Sequence, residues 1–300
     1  MHKDQHNFEQ FTRNTMMTTH ALVLGGGGLV GFAWETGLIV GLAEAGVDVR
    51  NANLFVGTSA GASVAAQMTS GLPLDEIFQR LVDPALQVHE LAAQPDFEKM
   101  LAGLTRAFKE GGTHSEILHR IGTLALPVPT MSEAERREVI SSRLLVHSWP
   151  QSRVEIVAVD AFSGERTIFT RDSRVELVDA VMASSALPYA WPPATINQRR
   201  YIDGGCYSIA NLDLAVGFEK VLVLQPDTPP FPFVESLEEQ RERLQREGAQ
   251  IEVITPDEAM KAALASNGGN ALDPSLRGMA ANLGREQGRH EAARVAALWQ

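Results

Sequence analysis

A chain of 300 residues, 44% of them hydrophobic, carries enough apolar material to bury a sizeable core in one large domain. Its formal charge of −11 argues against binding to duplex nucleic acid and against simple attraction to anionic membranes, so any peripheral membrane contact is expected to be apolar or locally basic. The single cysteine, Cys206, excludes an internal disulfide, and without clustered histidines it gives no reason to expect a structural metal; neither metal nor cofactor is expected.

Residues 1–20 contain Lys3, Asp4, Glu9 and Arg13 and no continuous apolar stretch, so they lack the core of a signal peptide and read as a disordered tail ahead of one domain over 21–300. No apolar run approaches the roughly 20 residues that cross a bilayer, so no transmembrane segment is expected and the expected location is cytoplasmic. Residues 21–24 read as a buried strand that the glycines 25–28 end, followed by a helix over 32–45. A second strand over 54–56 and an alanine-rich helix after it make the start of a parallel α/β sheet, whose chemistry sits at the carboxyl ends of the strands.

Residues 72–149 read as helical cover, with a capping box at Ser132 and Glu135 and a break at Pro127-Val128-Pro129. Strands are predicted over 154–159 and 167–169. Ser173 with Glu176 is expected to open the next helix, which ends at Ser184-Ser185-Ala186-Leu187-Pro188. A hairpin around Asn197-Gln198 leads into a strand over 200–202, and further strands follow at 221–224 and 251–254. A proline-rich surface loop over 226–233 presents Phe231 and Phe233, a charged helix covers 237–247, and a long or broken helix covers 275–299.

Gly57-Thr58-Ser59-Ala60-Gly61, set between the second strand and the helix after it, is the pattern of a nucleophile elbow. Small neighbours at Gly57 and Gly61 are needed because a Cβ there would crowd the turn that lifts the serine hydroxyl into the open. Attack on a carbonyl creates an oxyanion, and the amides of Gly26, Gly27 and Gly28, with that of Ala60, are the candidate donors to hold it. For a base, His290 is expected on the face of a terminal helix, whereas Asp203, beside Gly204 and Gly205 at a strand end, is better placed. Its reference pKa of about 3.9 makes it a weak base unless burial raises it, so an apolar setting near Tyr207 and Trp191 is predicted. Gly26, Gly28 and Gly31 also match a dinucleotide fingerprint, with Asp48 about 20 residues on, but Asp48 precedes the second strand instead of ending it. Cys206 has nothing beside it to stabilise a thiolate and is assigned no role.

Four blocks together resemble the patatin-like phospholipase family: Gly26 to Gly31, Gly57 to Gly61, Ala183 to Pro193 with its prolines, and Asp203-Gly204-Gly205, in matching order over roughly 21–224. The resemblance implies a three-layer α/β/α sandwich around a mainly parallel sheet. It also implies a serine acyl-ester hydrolase in which Ser59 is the nucleophile, Asp203 the proton acceptor and the Gly26–Gly28 loop the oxyanion hole, acting without a cofactor on lipid acyl chains. Many members carry Arg or Lys where this chain has Val30, so the hole here is expected to rely on backbone donors. The alternative from another class is a lipid-binding or regulatory module with little turnover.

Overall fold

The computed structural model of the chain describes residues 18–90, 97–126, 131–226 and 235–299. The tail expected over 1–20 lies outside the described residues as far as position 17, as do the Pro127-Val128-Pro129 break and the aromatics Phe231 and Phe233. Among the described residues eight strands form one sheet: β1 (His20–Leu24), β2 (Leu54–Thr58), β3 (Val154–Asp160), β4 (Arg166–Phe169), β5 (Ala194–Ile196), β6 (Arg199–Asp203), β7 (Lys220–Leu224) and β8 (Gln250–Ile254). The described helices around it are α1 (Gly28–Glu44), α2 (Ala60–Met68), α3 (Leu74–Val82), α4 (Phe97–Lys109), α5 (His114–Ala125), α6 (Glu133–Arg143), α7 (Leu177–Ser184), α8 (Leu237–Arg246), α9 (Glu258–Ser266) and α10 (Arg277–Trp299).

Strands β3, β2, β1, β7 and β8 are parallel neighbours in that order. Alternation along them sorts the apolar residues between two faces. Leu22, Leu24, Phe55, Ile156 and Leu222 pack with α1, α2, α3, α7 and α10 on one side. Ala21, Val23, Val56, Val157 and Val221 pack toward Leu244 of α8 on the other, where α4 and α5 also cover Val159 and Ile202. Both faces of the sheet are therefore covered, which gives the three-layer α/β/α sandwich.

The register around β3 brings two distant chain segments together. Ile156 and Val157 pair with β2 on one edge and β4 on the other, while Ala158 and Val159 pair with β4 and with β6. β6 thus takes over the edge that β2 leaves. Because β2 runs parallel to β3 and β6 antiparallel, their carboxyl ends meet head-on, with Thr58 opposite Val157 and Asp203 opposite Ala158. The hairpin feeding β6 turns at Asn197 and Gln198, both at positive φ (49° and 65°), the conformation a two-residue turn between twisted strands requires.

Two expectations about the elements change, and one helix is new. The helix predicted from 32 begins at Gly28, because the glycine run is its first turn: Gly31 N–H already donates to Gly27 O. Ser173 and Glu176 form no capping box; Ser173 ends a short 3₁₀ turn capped by Thr170, and Glu176 precedes α7 while pairing with Arg137. α9, which no expectation covered, is an exposed helix capped by Asp257, whose Oδ1 accepts from Met260 N–H at 2.9 Å; with Met260 alone buried it has little apolar periodicity to read. The Ser132–Glu135 capping box is formed.

Candidate active site

The elbow is built by close backbone approach. A Cβ on Gly61 would run into the carbonyl of Leu24, and one on Gly57 would lie 2.7 Å from Ala62 Cα, so neither position admits a side chain. Between them Ser59 takes φ 54° and ψ −111°, a strained conformation that the tight packing on either side enforces. Its N–H donates to Ser184 Oγ (2.9 Å) at the end of α7, and its Oγ donates to Asp203 Oδ2 at 2.7 Å.

Asp203 is only 2% exposed. Its second oxygen, Oδ1, accepts from Gly205 N–H at 2.7 Å, and a Cβ on Gly204 would run into Val157 O, so the turn after β6 also depends on its glycines. Burial pushes the Asp203 carboxyl up to about 7, against the pull of its bonds from Ser59 and Gly205 and of the nearby Arg136 charge. Trp191 lines the same cavity as Asp203, as expected, but it carries the Arg136 guanidinium on its face, while the ring contacts of Tyr207 are to His114 and Arg166.

Asn211, which sequence reading passed over, ties the two halves of the site: its Nδ2 donates to Thr58 Oγ1 at 3.0 Å and lies 3.5 Å from Gly204 O.

The amide donors divide. Gly26 N–H is donated to Ile209 O at 2.9 Å, so Gly26, expected among the oxyanion donors, has no N–H to offer an incoming anion. Gly27 caps α1, Gly28 is its first residue, and Ala60 is the first residue of α2; neither helix has a side-chain cap. Their N–H groups have no partner among the described residues, as the first amides of a helix do not. Two uncapped helix N-termini, each with the positive end of its dipole outward, therefore face Ser59. Gly28 sits at φ 64° with Ala271 O where a Cβ would go, and Gly31 packs against Pro226. Val30 points elsewhere, into a small separate pocket beside Trp34 and Met260, and its N–H bonds Ala271 O.

Ser59, Asp203, Gly27, Gly28 and Ala60 all line one apolar cavity of about 140 Å³. One wall is hydrocarbon from α4 and α5, including Met100, Leu104, Phe108 and Ile121. The facing wall comes from α6 and the segment after α7, and includes Arg136, Arg143 and Trp191. Neither arginine was singled out from the sequence, yet Arg136, Val139, Ile140 and Arg143 form the buried stripe of α6 at helical spacing. The other sequence candidates stand apart: Asp48 caps a 3₁₀ turn before β2 and pairs with Arg50, and His290 is exposed on α10. Cys206 lines the cavity, and burial drives its thiol well above the usual range, which keeps it protonated. Among the described residues no helix is long and apolar enough to cross a membrane.

The model of the patatin-like phospholipase family matches residues 22–216. No curated protein sequence matches the chain. Among solved structures it is similar to VipD from Legionella pneumophila, with 13% identity and a TM-score of 0.45 over 92% of this chain and 67% of that one. It is also similar to ExoU in its complex with SpcU from the type III secretion system of Pseudomonas aeruginosa, with 15% identity and a TM-score of 0.41 over 94% of this chain. The match covers 53% of the ExoU chain, so this chain spans about half its length.

Proposed function

The chain belongs to the patatin-like phospholipase family, and on that premise we propose that it is a serine acyl-ester hydrolase for lipids working through a Ser59–Asp203 dyad. The observation that carries this reading is the 2.7 Å hydrogen bond from Ser59 Oγ to Asp203 Oδ2 at an apolar cavity faced by two uncapped helix N-termini.

In the proposed sequence Ser59 Oγ attacks the ester carbonyl carbon while its proton passes to Asp203 Oδ2. The carbonyl oxygen becomes an oxyanion, held by the N–H groups of Gly27, Gly28 and Ala60, whose fixed dipoles need no reorganisation as charge develops. The intermediate collapses as the proton on Asp203 passes to the leaving alcohol oxygen. Water then attacks the acyl-serine, giving its proton to Asp203, and the acid leaves as Ser59 recovers its own. A carboxyl raised to about 7 suits both directions of transfer at neutral pH, which an aspartate at its ordinary value does not. The apolar wall from α4 and α5 supports an acyl chain as the group held during turnover. Residues 21–300 are proposed to act as one unit, since both α4–α6 and α10 contribute to or brace the layers around the site.

The test is hydrolysis of a p-nitrophenyl ester series by wild-type and Ser59→Ala protein, with fluorophosphonate labelling of both. Activity and labelling that vanish together in the variant are expected; a folded wild type that neither turns over nor labels would rule the hydrolase reading out.

A further inference from the structure

Arg136 is 3% exposed, and its Nε and Nη1 have no hydrogen-bond partner among the described residues. The guanidinium carbon lies 3.9 Å from the centre of the Trp191 ring, so one face of the cation is covered while the in-plane donors on Nε and Nη1 are left unmade. Arg143, two turns further along α6 on the same wall, differs: its Nε and Nη2 each bond Glu90 at 2.8 Å, and its Nη1 lies 3.4 Å from Ser63 Oγ. Arg277 approaches the same Glu90 at 4.0 Å. Asp203, whose oxygens accept from Ser59 and Gly205, makes no hydrogen bond to Arg136 among the described residues and meets it only as a neighbouring charge.

Among the described residues three buried guanidiniums thus share one committed carboxylate and one carboxyl poised near 7. Burial, with the neighbouring Arg143 charge, lowers Arg136 to about 9, which still leaves it cationic at neutral pH. A buried cation with unmade donors is stable only if something negative meets it. The cavity it faces joins that cation to a hydrocarbon wall supplied from the opposite layer of the sandwich.

We propose that Arg136, stacked on Trp191, is an anion-binding subsite of this cavity, holding the oxyanion of an amphipathic ligand whose alkyl chain lies along Met100, Leu104 and Ile121. The anion is a phosphate carried on the lipid headgroup or the carboxylate of the released acid. The role rests on reading the cavity as the site of an acyl-ester hydrolase, but its test needs no turnover.

Ser59→Ala protein is titrated by calorimetry with octyl phosphate, octanoate and octan-1-ol. The anions are expected to bind at least about tenfold more tightly than the alcohol, as charge-assisted hydrogen bonds outweigh neutral ones. Adding Arg136→Gln removes that preference, and Arg136→Lys, which keeps the charge without the stacked fork, restores part of it. A larger loss for octyl phosphate assigns the subsite to the headgroup, and a larger loss for octanoate assigns it to the released acid. Equal affinity for anion and alcohol in Ser59→Ala, or an anion preference that survives Arg136→Gln, overturns the proposal. If Arg136→Gln does not fold, anion affinities unchanged in Arg136→Lys overturn it instead. Anion preference in Ser59→Ala together with a wild type that never turns over would remove the hydrolase reading and leave the subsite; wild-type turnover without anion preference in Ser59→Ala would do the reverse.

Discussion

The seam between α1 and α10 and the elbow at Ser59 use glycine for the same steric reason and reach opposite ends. At the seam a Cβ on Gly37, Gly41, Gly284 or Gly288 would run into the facing helix's backbone carbonyl, at Ala281, Arg285, Trp34 and Leu38 respectively. The helices close backbone on backbone, with Glu44 gripping Arg285 and Arg289 at the rim and Trp34 Nε1 donating to Gln287 Oε1 at 2.9 Å. At the elbow the same intolerance of a Cβ holds Ser59 away from its neighbours and leaves a cavity beside it. α1 also buries an acid raised by desolvation, Glu35, against the pull of the Gly25 backbone, while Asp203, raised in the same way, is bonded to a hydroxyl at the cavity. Burial alone therefore does not make an acid useful; what sets Asp203 apart is a transferable proton 2.7 Å away.

Ser59→Ala tests that distinction hardest. It is expected to lower kcat/KM by at least about 10⁴-fold, roughly 5 kcal/mol of barrier, while stability falls by no more than the about 1–3 kcal/mol of the lost bond to Asp203, the backbone strain being unchanged. Asp203→Asn comes next, with a loss of about 10³-fold or more and an opposite effect on the fold. The folded Asp203 pKa, about 7, lies above its unfolded value, so its contribution to stability is complete below about pH 4 and is lost as the pH rises to 7. The loss amounts to about 4 kcal/mol at most, so Asp203→Asn gains on wild type in denaturant titrations at pH 8 but not at pH 4. The same ionisation puts a rising limb near pH 7 in the wild-type rate profile. Glu35→Gln sharpens the contrast: it too should gain on wild type in stability as the pH rises, yet leave turnover in place. Loss of turnover in Glu35→Gln would break the division between the two acids.

Gly284→Val probes the seam itself. The new side chain would meet the Trp34 carbonyl, and a backbone cannot yield as a flexible side chain does, so a destabilisation of about 3 kcal/mol or more is expected from thermal unfolding. A variant as stable as wild type would mean that the two helices are not in backbone contact.

Most strands could be read from the sequence because runs such as Val154 to Val159 are short, apolar and bounded by turn residues. Ser59 and Asp203 could be picked out because glycines flank the first and follow the second. Their meeting was implied by the family resemblance alone, since physically it depends on β6 replacing β2 along β3, a matter of register between segments about 145 residues apart. Gly26 looked equivalent to its neighbours until Ile209, from a distant turn, claimed its N–H. Arg136 was hidden in Glu135-Arg136-Arg137-Glu138, which reads as a solvated face; the clue was its phase with Val139, Ile140 and Arg143. Gly37 and Gly41, like Gly284 and Gly288, show the spacing of close helix contact, but a spacing does not say which helix is the partner.

The smallest effect expected concerns Ser184, which joins scaffold and site. Its Oγ is fully buried and accepts the Ser59 N–H at 2.9 Å, so Ser184→Ala leaves that amide without a partner in a region closed to water. An unsatisfied buried donor costs about 1–3 kcal/mol, and the cost should appear in thermal unfolding. The catalytic effect should be smaller, within about tenfold in kcat/KM, because the strained turn at Ser59 is still enforced by Gly57 and Gly61 and the hydroxyl still meets Asp203. The two readouts separate orientation from chemistry. A fall in turnover as deep as that of Ser59→Ala, with stability unchanged, would mean that Ser184 Oγ exchanges protons during the reaction and that the dyad is incomplete without it.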